Sequence, residues 1–167
     1  ATRDLKSRNV ILVAFFLDVD RVTTSATLYF PGKETLFTRL YEPKNRSSVM
    51  APPNKTSVVA EIPCQPDEPV WSWLDEDLID RVRDDLSQAG LVNAQAMLGA
   101  AVHRMSHAYP VLEAGYTARL DTVMDYLRGF SNLHFSGRSG LFSYLHLHDL
   151  MFHAERLIRQ CQRAARV

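Results

Sequence analysis

The sequence predicts an α+β fold: a mostly antiparallel sheet with one packed helix, followed by a helix–strand–helix tail. Three observations support this prediction. Residues 9–62 contain several apolar runs that resemble strands, separated by polar turns. Residues 74–86 repeat apolar side chains at helical spacing. The last third of the chain shows that spacing again, on both sides of a short strand-like run.

The predicted strands fall into two antiparallel pairs and one further strand. Residues 9–18 and 26–30, with a polar turn between them, predict a hairpin. Residues 36–41 and 56–62 form a second pair, joined by a Pro-, Lys-, Asn- and Ser-rich connection that is too long for a tight turn. We expect this connection to be a functional edge. Alternation within residues 94–107 predicts the last strand of the sheet.

Three amphipathic helices are predicted. The first begins at a capping box, in which Ser72 is followed three residues later by Asp75, and it ends at Gly90. The second ends near Gly129 and the third begins near His146. Their apolar faces are Leu74, Leu78, Ile79, Val82 and Leu86; Leu120, Val123, Met124 and Leu127; and Leu147, Leu150, Met151, Ala154, Leu157, Ile158 and Cys161.

Composition and charge narrow the function classes. Lys plus Arg and Asp plus Glu both number 19, so no net field attracts nucleic acid or an anionic membrane. The longest apolar run, residues 10–17, falls far short of the roughly 20 residues that cross a bilayer. We therefore expect a cytoplasmic protein with no nucleic-acid or membrane partner. Cys64 and Cys161 lie in different predicted elements outside any CxxC motif, so we expect two buried, reduced thiols.

The segment from Phe135 to Tyr144 is the most informative part of the chain. A short strand, predicted over residues 132–136, meets glycine and then a helix. Such a corner leaves several backbone N–H groups unpaired, with the positive end of a helix dipole behind them. It therefore suits a phosphate group or a polarised ring carbonyl.

Five fragments then justify a family resemblance. They are EPKN at 42–45, MAPPNKT at 50–56, AEIPC at 60–64, AYPVLEAGY at 108–116 and NLHFSGRSGLFSY at 132–144. Their order and spacing resemble the latter half of FAD-dependent enzymes related to amine oxidases, protoporphyrinogen oxidase and UDP-galactopyranose mutase. The resemblance covers most of the chain. It implies an antiparallel-sheet, substrate-side domain over residues 1–112 and a tail over residues 113–167 that contributes to an FAD-binding domain, the two forming one compact unit in isolation.

The resemblance also implies a missing half. Enzymes of this group open with a GxGxxG fingerprint that holds the FAD pyrophosphate, and this chain contains no such motif. The implied cofactor is therefore FAD, and the implied partner is an N-terminal FAD-binding half or a separate chain that supplies it. The chain alone should be inactive and should bind FAD weakly or not at all. A homodimer through the exposed tail surface is the expected substitute in isolation.

Carried over residue by residue, the resemblance assigns roles to seven positions. Gly137 and Arg138 would lie at the turn beside the flavin, and Leu147 and His148 at a helix start facing its ring. His148 stands where these enzymes usually have a carboxylate. The implied substrate-binding residues are Tyr109, Phe142 and Tyr144. The substrate would be a small molecule, and the catalytic residues are not identified.

Other readings of the same residues remain open. A UDP-galactopyranose-mutase-like fragment is one alternative, and a non-catalytic binding or assembly domain is another. Asp149 and His153 share a helix face at i,i+4 spacing, but His146 and His148 cannot both join that face, and the chain has no HExxH motif. We therefore expect no metal site. A hydrolase is disfavoured because the chain has no GxSxG nucleophile elbow.

Overall fold

The computed structural model describes residues 4–164, and it confirms the α+β class. The chain forms two compact units. One unit is Asn9–Ser106, and the other joins the residues before Asn9 to those from His107 onward. They are called the sheet unit and the tail unit below. The predicted division between residues 112 and 113 stays a prediction.

Five strands form one sheet in the order β2-β3-β4-β1-β5. The strands are β1 Ser7–Leu17, β2 Thr27–Tyr29, β3 Arg39–Tyr41, β4 Thr56–Cys64 and β5 Met97–Pro110. The predicted pairing of β3 with β4 is confirmed, since Leu40 lies opposite Ala60 in an antiparallel ladder. The predicted hairpin of β1 with β2 is wrong: β2 pairs with β3, and β1 lies between β4 and β5. Alternation reveals that a strand exists, but not which strand it pairs with.

The core of the sheet unit lies between one face of the sheet and helix α1, Asp75–Gln88. Because side chains alternate along a strand, every second residue of β1 and β4 faces this helix. The buried contributors are Ile11, Val13, Phe15 and Leu17; Val58, Ala60, Ile62 and Cys64; and Leu78, Val82 and Leu86.

The predicted start of α1 needs one correction. The N-cap residue is Leu74, which has no side-chain capping bond, so the Ser72 capping box is wrong. Ser72 instead ends the 3₁₀ turn Pro69–Ser72, which Pro69 favours because its fixed φ suits the first turn. Arg104 of β5 fastens this turn to the sheet by donating to the carbonyls of Trp71 and Trp73 and pairing with Asp75.

The tail unit contains three helices: α2 Tyr116–Arg128, α3 Gly137–Leu141 and α4 Leu147–Ala164. The predicted second and last helices are confirmed as α2 and α4. The strand predicted over residues 132–136 is wrong, because this segment has no regular secondary structure and a short helix follows it. None of the strands of the described sheet pairs with this segment, and an extended run needs such a partner to become a strand.

Two further features complete the fold. Cys64 is buried in the sheet unit, Cys161 is half-buried on α4, and the two form no disulfide. Among the described residues, we find no helix with the length and apolarity needed to cross a bilayer.

Candidate functional site

The first candidate site is the turn that introduces α3. Ser136 is extended, and Gly137 follows with φ of 83°, in the left-handed region that favours glycine. Apart from its two chain neighbours and the backbone of its own helix, no described atom lies within 4 Å of the position that a Cβ on Gly137 would occupy. The turn is therefore open on its outer side, which permits close approach of a ligand to the backbone.

Arg138 is fixed at this turn by its own segment. Its Nε donates to the carbonyl of Leu145 at 2.7 Å, while the side chain as a whole remains exposed. Phe142 ends α3 with φ of 47°, and the chain turns back so that the Ser143 N–H donates to the Arg138 carbonyl at 3.0 Å. The guanidinium is thus oriented but still accessible to an anionic group.

The structure brings together two of the three predicted substrate-binding aromatics. The rings of Tyr109 and Tyr144 stack with centroids 5.9 Å apart, and the Tyr144 hydroxyl donates to the Pro110 carbonyl at 2.8 Å. Phe142 instead lies near Tyr116, with ring centroids 6.3 Å apart. The stack and the hydrogen bond hold the Tyr144 ring against Tyr109.

The start of α4 is capped by a side chain. The Asp149 carboxylate accepts a hydrogen bond from the backbone N–H of His146 at 3.1 Å, as the third helical residue of a capping box does. His146 and His148 stack with ring centroids 5.6 Å apart. Leu147 and His148 are both exposed. In the part of the chain that the structure describes, no group of three or more His, Cys, Asp or Glu side chains is arranged to hold a metal ion.

The second candidate site is the sheet face opposite α1, which we call the open face. The register of the ladders fixes the residues that line it, because alternate residues of each strand point to this side. Two rows run across four strands: Tyr29, Arg39, Glu61 and Leu12 form one, and Thr27, Tyr41, Val59 and Ala14 form the next.

A charged pair occupies the middle of the open face. Arg39 and Glu61 lie directly opposite each other on β3 and β4 and form an ion pair, with Glu61 buried. The Arg39 guanidinium also lies over the Tyr41 ring, 5.7 Å from its centroid. Burial, and secondarily the negative charge of Glu61, raises the pKa of Tyr41 above its ordinary value of 10.0. The open face therefore offers hydrogen-bonding groups in a partly desolvated setting.

Glu42 explains why the EPKN and MAPPNKT fragments occur together. Its carboxylate is fully buried and accepts from the N–H groups of Val22 and Thr23 at 3.1 and 2.9 Å. The Thr56 hydroxyl and the Asn45 amide donate to it at 2.7 and 3.1 Å. This carboxylate ties the loop before β2 to the connection between β3 and β4, so its role is structural.

Lys44 strengthens the same junction. Its ammonium donates to the Asp20 carboxylate at 2.7 Å and to the Lys55 carbonyl at 3.0 Å. The hydrogen bond from Lys44 holds the pKa of Asp20 below its usual range. The tip of the connection carries two exposed apolar residues, Val49 and Met50. The expected functional edge is thus an ordered loop with an apolar tip.

Sequence reasoning missed the Arg39–Glu61 pair and the Glu42 junction. One signal could have found the pair. Arg39 and Glu61 are charged residues inside predicted strands, Arg39 next to Leu40 and Glu61 between two apolar residues. Charged groups in such positions are normally paired. The partners could not have been named, because they depend on the register between β3 and β4.

Comparison with solved structures shows which other proteins contain this fold. A crystal structure of reduced UDP-galactopyranose mutase matches with a TM-score of 0.72 and 18% identity, over 83% of this chain and 29% of the mutase. A crystal structure of a protein assigned as a protoporphyrinogen oxidase, from Exiguobacterium sp. 255-15, matches with a TM-score of 0.72 and 15% identity, over 97% of this chain and 36% of that protein. No family model matches the chain, and no curated protein does.

These matches confirm the predicted resemblance at the level of the fold. This chain has the fold of one part of these two enzymes, and it spans about a third of the length of each. The roles assigned to Gly137, Arg138, Leu147, His148, Tyr109, Phe142 and Tyr144 stay predictions.

Proposed function

We propose that this chain is the C-terminal, substrate-side portion of an FAD-dependent oxidoreductase similar to the amine-oxidase and protoporphyrinogen-oxidase group. One observation carries the proposal: a chain with the fold of about a third of such an enzyme leaves part of the apolar face of its last helix exposed, at Leu147, Met151 and Ile158. A polypeptide segment that supplies the FAD-binding half would cover that face.

Exposed apolar side chains recur along α4. Leu147, Met151 and Ile158 follow one another at helical spacing and expose 73%, 67% and 57% of their surface. Phe152 beside them is 57% exposed. Monomeric soluble proteins seldom leave a large contiguous apolar patch open to water, and such patches mark interaction sites. The same face explains why the isolated chain should associate with itself.

The turn at Gly137 fits a flavin in two respects. The space beside Gly137 is open, so a planar ring or a phosphate can approach the backbone closely. The exposed Arg138 guanidinium can counter an anionic group of cofactor or substrate. When bound, FAD would supply the redox step by accepting a hydride. The residues of this chain would orient the small-molecule substrate, with Tyr109 and Tyr144 as its flat support.

A mutase-like function is the second candidate, favoured by the equal TM-score of the UDP-galactopyranose mutase match. In this version, Arg138 and Tyr144 would hold the diphosphate of a nucleotide sugar, with the Tyr144 hydroxyl turning from the Pro110 carbonyl to the diphosphate. The two candidates differ in net redox change. An oxidase consumes an electron acceptor during turnover, whereas a mutase needs reduced flavin and returns it unchanged.

The deciding experiment is the visible absorbance spectrum of the complete native polypeptide, or of this chain co-expressed with its partner. We expect flavin bands at close to equimolar stoichiometry. A colourless complete protein that does not bind added FAD would overturn both enzyme candidates and leave a non-catalytic binding domain. Oxygen uptake with candidate amines or porphyrinogens, compared with sugar-ring interconversion under reducing conditions, then separates the oxidase from the mutase.

A further inference from the structure

The outer edge of β5 is an unpaired strand edge. β5 is the last strand in the order β2-β3-β4-β1-β5, with β1 on its inner side and no described strand on its outer side. About half of the backbone N–H and C=O groups of such an edge strand point away from the sheet and can bond another strand. Within the sheet unit, this edge runs from Met97 to Ser106.

The opposite edge of the same sheet is protected in the usual ways. β2 has only three residues, and Pro31, Gly32, Lys33 and Glu34 follow it closely. Short length, proline and charge all discourage the addition of another strand. The β2 edge is therefore protected against the addition of another strand.

β5 lacks these protections. The strand has 14 residues, and its one proline is the terminal residue, Pro110. Among the 14, Arg104 is the one residue of the Lys, Arg, Asp and Glu types. The Arg104 side chain does not guard the edge, because it is committed to Trp71, Trp73 and Asp75. Leu98 and Met105 are exposed on β5. A long, nearly uncharged and apolar edge would promote aggregation if it stayed uncovered.

We propose that the outer edge of β5, from Met97 to Ser106, binds a further β-strand supplied by the polypeptide that completes the flavoprotein. This inference rests on the proposed function. About two thirds of each matched enzyme has no counterpart in this chain, so a suitable segment has a source. The docked strand would place apolar side chains beside Leu98 and Met105 and satisfy the outward backbone groups by β-addition.

Hydrogen exchange resolved by residue tests this inference. In this 167-residue chain alone, the outward amides of residues 97–106 should exchange rapidly. In the complete native polypeptide, the exchange of these amides should slow by about 100-fold or more.

The amides of Thr27 and Tyr29 on β2 are the internal control, and their exchange rates should not change. Rapid exchange of residues 97–106 in the complete polypeptide overturns the proposal. Protection that appears in the isolated chain with rising concentration also overturns it, because a second copy then occupies the edge.

A variant separates this inference from the proposed function. Ala101→Lys in the complete polypeptide puts a charge on the edge, and exchange of residues 97–106 should accelerate about 10-fold or more. Thr27→Lys on β2 is the matched control and should leave that exchange unchanged. Flavin absorbance is read on the same samples. A wild-type protein that holds flavin while residues 97–106 exchange freely retains the proposed function and refutes strand addition.

Discussion

Helix α1 of the sheet unit and helix α4 of the tail unit have the same amphipathic sequence pattern, but they differ in how far their apolar side chains are buried. In α1 the apolar stripe is buried, since Leu78, Val82 and Leu86 pack against the sheet. In α4 an equally regular stripe is only partly covered: Leu150 and Leu157 are half-buried, whereas Leu147 and Met151 stay exposed. No described side chain of α2, α3 or α4 is buried. An amphipathic pattern thus predicts a helix equally well in both units, but it does not reveal whether the partner surface belongs to the same chain.

This contrast has an energetic consequence that a pair of variants can test. Leu78→Ala should lower the free energy of unfolding by about 2–5 kcal/mol, because it removes a fully buried side chain and leaves a cavity. Met151→Ala should change it by about 0.5 kcal/mol or less, because that side chain is already in water. Urea denaturation followed by circular dichroism gives both values. Equal losses would mean that α4 is covered within the chain itself, which would remove the argument for a missing half.

The Glu42 junction should rank next in effect within the sheet unit. Glu42→Ala leaves the N–H groups of Val22 and Thr23 and the hydroxyl of Thr56 without their acceptor, at a cost of about 2–4 kcal/mol. The loop before β2 and the connection between β3 and β4 should then exchange amide hydrogens faster. Glu68→Ala is the control, since Glu68 is exposed and should cost about 0.5 kcal/mol or less. Unchanged exchange in both loops would contradict the structural role of Glu42.

Periodicity predicted most elements of this fold, but not their partners. β1, β4, β5 and all the long helices stand close to where the apolar spacing places them. The predicted pairing of β1 with β2 was wrong because strands that are adjacent in sequence need not be adjacent in a sheet. Here the loop between them is bound at Val22 and Thr23 by the buried Glu42 carboxylate, which follows β3. The strand predicted over residues 132–136 failed for a related reason. Its alternation needs a neighbouring strand, and none of the described strands supplies one.

The candidate sites were predictable to different degrees. The turn at Gly137 was found because glycine at a predicted strand-to-helix junction is a local signal. The stacking of Tyr109 on Tyr144 joins residues 35 positions apart, and only the resemblance placed both near a substrate. The Arg39–Glu61 pair depends on register alone, so it emerged only from the structure. A site formed by residues adjacent in sequence can be predicted from the sequence. A site formed by residues on neighbouring strands can be predicted only when the strand pairing is known.

Gly137 offers a smaller test, and Gly140 provides its matched control within the same short helix. Gly137→Ala should cost about 1 kcal/mol, because its φ of 83° strains any side chain although the space around it is open. Gly140→Ala should be neutral or stabilising by about 0.5–1 kcal/mol, since it lies in helical backbone with no close neighbour. Thermal unfolding measures both. In the complete polypeptide, Gly137→Ala should also lower the bound flavin and Gly140→Ala should not. Equal flavin content in the two variants would argue against close approach of the cofactor at Gly137.

The smallest expected effect concerns Tyr41 on the open face, whose pKa is raised by burial and then by Glu61. Below pH 10.0 the phenol is protonated in both the folded and the unfolded chain. Above that pH the unfolded chain loses this proton first, so stability falls as the pH rises towards the folded-state pKa. Because Tyr41 is only half-buried, solvent screening should keep the loss under about 1 kcal/mol. Tyr41→Phe should remove this part of the alkaline destabilisation, measured by urea denaturation on either side of pH 10.0.

Tyr29→Phe, in the neighbouring row of the same face, is the control and should keep the alkaline destabilisation of the wild type. If both variants followed the wild type, the Tyr41 hydroxyl would be more hydrated than its burial implies, and the open face would offer a ligand little desolvation at this position.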